Sequence, residues 1–115
     1  MHHLFDLRDK VAVVTGARRG MGRTHCLLLA EAGAKVVVSD IDLDECEKVV
    51  GEITETGGEA MAVKCDISKK EEVDAMMART VEGFGGIDIL VNNAGIADFK
   101  EFLSMTEEDW DRTID

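Results

Sequence analysis

The stretch Thr15-Gly16-Ala17-Arg18-Arg19-Gly20-Met21-Gly22 holds the densest chemistry in the sequence. It follows the apolar run Val11-Ala12-Val13-Val14 and opens a segment, Met21 to Ala32, that reads as helix. A strand, a glycine turn and a helix in that order form a site for phosphate. The backbone N–H groups at the helix start are unpaired, and the helix dipole adds partial positive charge there. Gly16 supplies the tight turn. Gly20 and Gly22 let backbone approach a ligand and let the helix approach the strand.

Asp40 follows Gly20 by twenty residues and ends a second β-branched run, Lys35-Val36-Val37-Val38-Ser39. A carboxylate there can accept hydrogen bonds from both hydroxyls of an adenosine ribose, each charged bond contributing ~1.5–3 kcal/mol. A 2′-phosphate would meet it as a like charge, at a cost of roughly 4 kcal/mol per charge pair at ~4 Å and an effective dielectric of ~20. The expectation is therefore NAD rather than NADP. Arg18 and Arg19 point the other way, because an arginine in this turn could hold the extra phosphate. A flexible arginine can equally serve the pyrophosphate or solvent, so the strand-end carboxylate carries more weight.

These residues need a scaffold, and the remaining pattern predicts one. Asp42 caps a helix with Glu45 three residues on, and Leu43, Cys46, Val50 and Ile53 form its apolar face before Gly57-Gly58. Ala60 to Cys65 reads as a third strand. Ser68 with Glu71 repeats the capping-box signal, and Val73, Met76, Met77, Thr80, Val81 and Phe84 mark the buried stripe of the next helix, broken by Gly83, Gly85 and Gly86. Ile87 to Val91 is a fourth strand running into Asn92-Asn93-Ala94-Gly95, and Thr106 with Asp109 starts a last helix bearing Trp110 and Ile114. The order β-α-β-α-β-α-β-α, with crossovers of a dozen or more residues, predicts an α/β fold: a doubly wound parallel sheet, its N-terminal half, covered on both faces.

The Gly-x-x-x-Gly-x-Gly spacing, the Asn-Asn-Ala-Gly run and Cys65-Asp66-Ile67-Ser68 together resemble the short-chain dehydrogenase/reductase family. The likeness is to soluble single-domain members of the 3-oxoacyl-carrier-protein reductase type, and it runs the length of the chain. It implies a Rossmann-type fold, a nicotinamide cofactor and hydride transfer between an alcohol and a carbonyl. It also implies the cofactor-binding positions: Gly16, Arg18, Arg19, Gly20, Met21 and Gly22 around the diphosphate; Asp40 and Ile41 after the second strand; Cys65, Asp66 and Ile67 beside the adenine; Asn93, Ala94 and Gly95 along the nicotinamide ribose. Asn93 is expected to brace the sheet as well. An Asx turn leading to Ser68 is a second role open to Asp66.

The family's chemistry uses a tyrosine as general acid/base, with a lysine lowering its pKa and a serine polarising the carbonyl. The sequence has no tyrosine, and Ser39, Ser68 and Ser104 match no catalytic position. No catalytic residue is therefore expected among residues 1–115, which read as the cofactor-binding part of a longer enzyme with little turnover of its own. Its fourth strand is expected to meet another chain, a complementary fragment or a second copy. The alternatives are a non-catalytic NAD(H)-binding module and a methyltransferase. The latter shares a glycine after the first strand, but Gly20-Met21-Gly22 and Asn-Asn-Ala-Gly disfavour it.

Composition sets the outer limits. The chain has 115 residues, enough for one domain, with 45% hydrophobic and 32% charged residues. A formal charge of −11 disfavours nucleic acid and anionic membrane surfaces as partners. No apolar run reaches the ~18 residues of a membrane helix, and Met-His-His-Leu-Phe-Asp lacks a secretory pattern, so a cytoplasmic location is expected. Cys26, Cys46 and Cys65 show no CxxC spacing and read as reduced packing thiols. No metal site is expected, and His2, His3 and His25 read as surface or packing residues.

Overall fold

The computed structural model describes residues 6–17 and 20–93. Their elements follow the order β1 (Val11–Thr15), α1 (Gly20–Glu31), β2 (Lys35–Asp40), α2 (Leu43–Glu55), β3 (Ala60–Lys64), α3 (Lys70–Phe84) and β4 (Ile89–Asn92). The expected last helix lies outside the described residues. All strand pairs are parallel, in the spatial order β3-β2-β1-β4. The chain thus builds outward from β1 to β3, then returns to lay β4 on β1's other side. A ligand crevice belongs beyond the carboxyl ends of the strands at such a reversal.

Burial on both faces explains why β1 and β2 are continuous β-branched runs. Every residue of β1 is buried, as are Val36 to Ser39 of β2. Side chains alternate between two cores. Ala12, Val14, Val36 and Val38 pack with Cys26 of α1 and with Cys46, Val49 and Ile53 of α2. Val13, Val37, Val63 and Cys65 pack with Val73, Met76 and Met77 of α3. The methionine stripe is core, as its spacing predicts.

Four local expectations are corrected. The buried stripe of α2 is Cys46, Val49 and Ile53; Val50 is only partly buried and Leu43, in the first turn, is exposed. The capping box at α3 is absent: its N-cap is Lys69, with no side-chain cap bond. The Ser68 hydroxyl donates instead to Asp66 Oδ1 at 2.7 Å, and Glu72, not Glu71, accepts from a backbone N–H, that of Asp66 at 2.9 Å. Gly83 does not break α3. The helix continues to Phe84 and ends on Gly85, whose φ of +90° is a left-handed cap. β4 also starts later than expected, at Ile89; Ile87 is buried in the connection, and Asp88 reaches back to accept from the Val11 N–H at 2.9 Å.

Candidate nucleotide site at the carboxyl edge of the sheet

At the end of β1 the chain turns through Gly16, with φ +62°, and the buried Ala17 donates its N–H to Ser39 O at 3.1 Å. This bond fastens the turn to the end of β2. The three glycines divide the work. A Cβ on Gly16 would stand 3.2 Å from Asn93 Cβ, so the turn packs against the end of β4. A Cβ on Gly22 would lie 2.0 Å from Gly16 O and 2.8 Å from Ala17 Cα, so α1 can sit against the turn only without a side chain there. Gly20 differs from both: its φ is +62° and no atom lies within 4 Å of where its Cβ would be. Its outer side is open.

The first turn of α1 carries no acidic residue, whereas α2 has Asp44 and Glu45 there and α3 has Glu71 and Glu72. In α2 the Asp42 carboxylate also accepts from the Glu45 N–H at 3.2 Å. Protein carboxylates therefore answer the dipoles of α2 and α3, while none stands in the first turn of α1. Met21, in that first turn, is 72% exposed.

Asp40 stands half-buried at the end of β2, the next strand along this edge. Its Oδ1 accepts from the Ile41 N–H at 2.7 Å and the Asp42 N–H at 3.4 Å. These bonds fix the carboxylate at the rim and lead the chain toward the α2 cap. Ile41 beside it is exposed. Past β3, Cys65 is buried, and that burial, with Glu72 and Asp66 close by, pushes its thiol up to about 12. The thiol is protonated at neutral pH and serves as packing. Cys26 is likewise held at about 12, chiefly by burial and then by Cys46.

Asp66 accepts from the Ser68 N–H at 3.0 Å as well as from its hydroxyl, and these bonds hold the carboxyl below its ordinary value. The Asx-turn role is thus realised in the structure. Ile67 packs partly onto the α3-side core.

Asn93 binds the first strand twice. Its backbone N–H and its Nδ2 donate to Thr15 O at 3.3 and 3.0 Å. Sequence reasoning singled out Asn93 as a brace but passed over the pair next to it: the buried Thr15 donates its hydroxyl to Asn92 Oδ1 at 2.6 Å. The only available signal was a polar residue ending an otherwise apolar strand. The structure therefore brings Gly16, Gly20, Met21, Gly22, Asp40, Ile41, Cys65, Asp66, Ile67 and Asn93 to the carboxyl edge of one sheet. Arg18, Arg19, Ala94 and Gly95 lie outside the described residues. Among the described residues no helix is long and apolar enough to cross a membrane.

Residues 10–115 match the short chain dehydrogenase family model. The chain is 46% identical over 114 residues to hydroxyacyl-CoA dehydrogenase ChsB1 of Mycobacterium tuberculosis, covering 95% of this chain and 36% of that protein. It is 44% identical over 110 residues to a 3-oxoacyl-(acyl-carrier-protein) reductase of Synechocystis, covering 95% of this chain and 44% of the relative. Among solved structures, a 7α-hydroxysteroid dehydrogenase complexed with NADH and 7-oxo glycochenodeoxycholic acid superposes with a TM-score of 0.79 at 35% identity, covering 89% of this chain and 47% of that one. The chain thus spans less than half the length of these relatives. With a family match across nearly all its residues, and with the strand order and glycine turn described above, the chain belongs to the short chain dehydrogenase family.

Proposed function

We propose that these residues form the nucleotide-binding part of an NAD-dependent oxidoreductase that moves a hydride between an alcohol and a ketone or aldehyde. The observation that carries this reading is the start of α1: an N-terminus with no carboxylate in its first turn, beside a glycine whose outer side is open. Those features suit a diphosphate. Under this reading the backbone from Gly20 to Gly22 receives the phosphates, with Arg18 and Arg19 beside them. Asp40 receives the ribose hydroxyls, Asp66 and Ile67 flank the adenine, and the Asn93-Ala94-Gly95 backbone runs along the nicotinamide ribose. The nicotinamide, when bound, supplies or accepts the hydride. The protein's own part is to bind, orient and select the nucleotide, and Asp40 disfavours a 2′-phosphate by charge. Similarity to a hydroxyacyl-CoA dehydrogenase, an acyl-carrier-protein reductase and an NADH-bound steroid dehydrogenase supports an oxidoreductase over a non-catalytic module.

The acid/base tyrosine, lysine and serine, and the substrate pocket, belong in this reading to chain beyond residue 115. β4 has only β1 as a partner among the described residues. Its outer edge is proposed to pair with further chain or with a second copy, since an open edge invites pairing. A cytoplasmic setting suits three buried, reduced cysteines.

Fluorescence titration with NADH and NADPH tests the cofactor assignment. The protein is expected to favour NADH, and Asp40→Ser to lower the NADH-over-NADPH preference by about tenfold or more, given a like-charge repulsion of up to about 4 kcal/mol. Unchanged selectivity in the variant would overturn the assignment.

A further inference from the structure

Helix α1 has two unlike flanks. Gly22 and Cys26 face the core, and on the α2 side Arg23 bonds Glu52 through Nε at 2.9 Å and through Nη2. By helical spacing, Met21, His25 and Leu28 form a stripe on the flank turned away from α2. Met21 is 72% exposed and Leu28 58%. The Nδ1 atom of His25, between them, is buried yet has no hydrogen-bond partner among the described residues. Buried polar atoms in folded proteins are nearly always bonded, so this nitrogen calls for a partner from outside them.

The strand order shows what lies beside the stripe. α2 joins β2 to β3, so the bare flank of α1 looks the other way, toward β4. Ile89 and Val91 of β4 stand in register with Ala12 and Val14, on the α1 face, and both are only partly buried. The far edge of β4 has no strand partner among the described residues. An exposed apolar stripe, an unbonded buried nitrogen and an unpaired strand edge thus meet at one corner of the molecule.

We infer that a helix from chain following residue 115 seats over β4 against this flank of α1, with apolar side chains on Met21 and Leu28 and a hydrogen-bonding group at His25 Nδ1. This seating rests on the further chain proposed above for the catalytic groups. The relatives have the length to supply it, since this chain covers 36% and 44% of two of them. Spacing decides against a second copy as the cover. Two copies joined edge to edge at β4 would hold their β1 strands three strand spacings apart, about 14 Å. Their α1 helices, which lie over β1 and β2, would be no closer, whereas packed helices stand roughly 8–10 Å apart. Copies joined stripe to stripe would instead leave the edge of β4 open.

The test is thiol labelling with a maleimide, in the protein carried to the end of its reading frame. Cys26, Cys46 and Cys65 are buried, and burial holds Cys26 and Cys65 up at about 12, so the native thiols react little. Leu28→Cys, in the stripe, is compared with Glu47→Cys, on the exposed side of α2. The Leu28→Cys thiol is expected to react about tenfold more slowly or less, at every protein concentration, and to match the Glu47→Cys thiol once the protein is denatured. Equal rates in the native protein would overturn the inference. So would protection that fades on dilution, which would assign the stripe to a second copy, or a reading frame that closes at residue 115 and leaves no helix to seat. NADH titration of the unaltered protein keeps the nucleotide proposal apart, because its failure appears as no binding whatever the labelling rates.

Discussion

Helices α1 and α2 begin at the same edge of the sheet, after adjacent parallel strands, yet their first turns are built in opposite ways. The α2 start is self-sufficient: Asp42 accepts from the Glu45 N–H, Asp44 and Glu45 face the dipole, and Asp40 ties down the Ile41 and Asp42 amides. The α1 start replaces every such carboxylate with glycine, methionine and arginine, and two positive-φ glycines, Gly16 and Gly20, steer the chain into it. A helix start that serves only stability satisfies its own amides. One that takes a ligand, as we propose for α1, draws its rigidity from elsewhere. Here that rigidity comes from backbone packing of Gly22 on Gly16 and Ala17, and from the Ala17–Ser39 bond.

The strongest way to break this contrast is Gly22→Ala. Its Cβ would enter the space of Gly16 O and Ala17 Cα, both backbone atoms that cannot rotate aside. A stability loss of about 3 kcal/mol and loss of nucleotide binding are expected, read by denaturant unfolding and NADH titration. Gly20→Val, whose Cβ meets open space, should keep the fold at a strain cost of about 1–3 kcal/mol from its positive φ, yet still abolish NADH binding. On the α2 side, Asp42→Ala removes the cap bond to the Glu45 N–H and should cost about 1 kcal/mol of stability, with a far smaller effect on NADH affinity than the glycine variants. Gly51 lies in the middle of α2 with no atom within 4 Å of its Cβ direction, so Gly51→Ala should raise stability by about 0.5–1 kcal/mol. The two helices would thus answer Gly→Ala with opposite signs.

The smallest expected effect concerns the turn before α3. Two bonds from Ser68 hold the Asp66 carboxyl below its ordinary value of 3.8. A group whose pKa is depressed by folding stabilises the protein above its unfolded pKa, and loses that contribution as pH falls through the folded one. Ser68→Ala should therefore move the Asp66 pKa back toward 3.8 in an NMR titration. The stability difference between variant and parent should be present at neutral pH and vanish in acid below the parent's Asp66 pKa.

Elements with strong internal signals were legible without coordinates. β1 and β2 are apolar throughout because helices cover both their faces, and that pattern is unambiguous in a run such as Val36-Val37-Val38. The partly buried β3 and β4 are less uniform, and the buried Ile87 extends the apolar pattern two residues ahead of the point where β4 starts to pair. The Asp42 cap was legible because it is a contact within one turn. At α3 the same spacing rule pointed to Ser68 and Glu71, but Ser68 is drawn away by Asp66, and Lys69 takes the cap position. On α2 the choice between Val49 and Val50 depended on how the helix is rotated against the sheet, which no spacing within α2 records.

The sequence by itself determined the order of the elements, the parallel sheet, the glycine turn between β1 and α1, and Asp40 as the carboxylate at the next strand end. Each of these follows from local chemistry: φ > 0 at glycine, unpaired amides at a helix start, and the short reach of a βα turn. Only the tertiary structure decided that Gly22 is a packing glycine while Gly20 is the open one, and that Thr15 and Asn92 lock β1 to β4. It also left Met21 and Leu28 exposed on the flank of α1 away from α2. The Thr15–Asn92 bond joins residues 77 apart in sequence, and that flank is set by how α1 meets α2 and the sheet. Pairings of that kind are fixed by how the helices and strands pack, a relation between distant parts of the chain that no local pattern encodes.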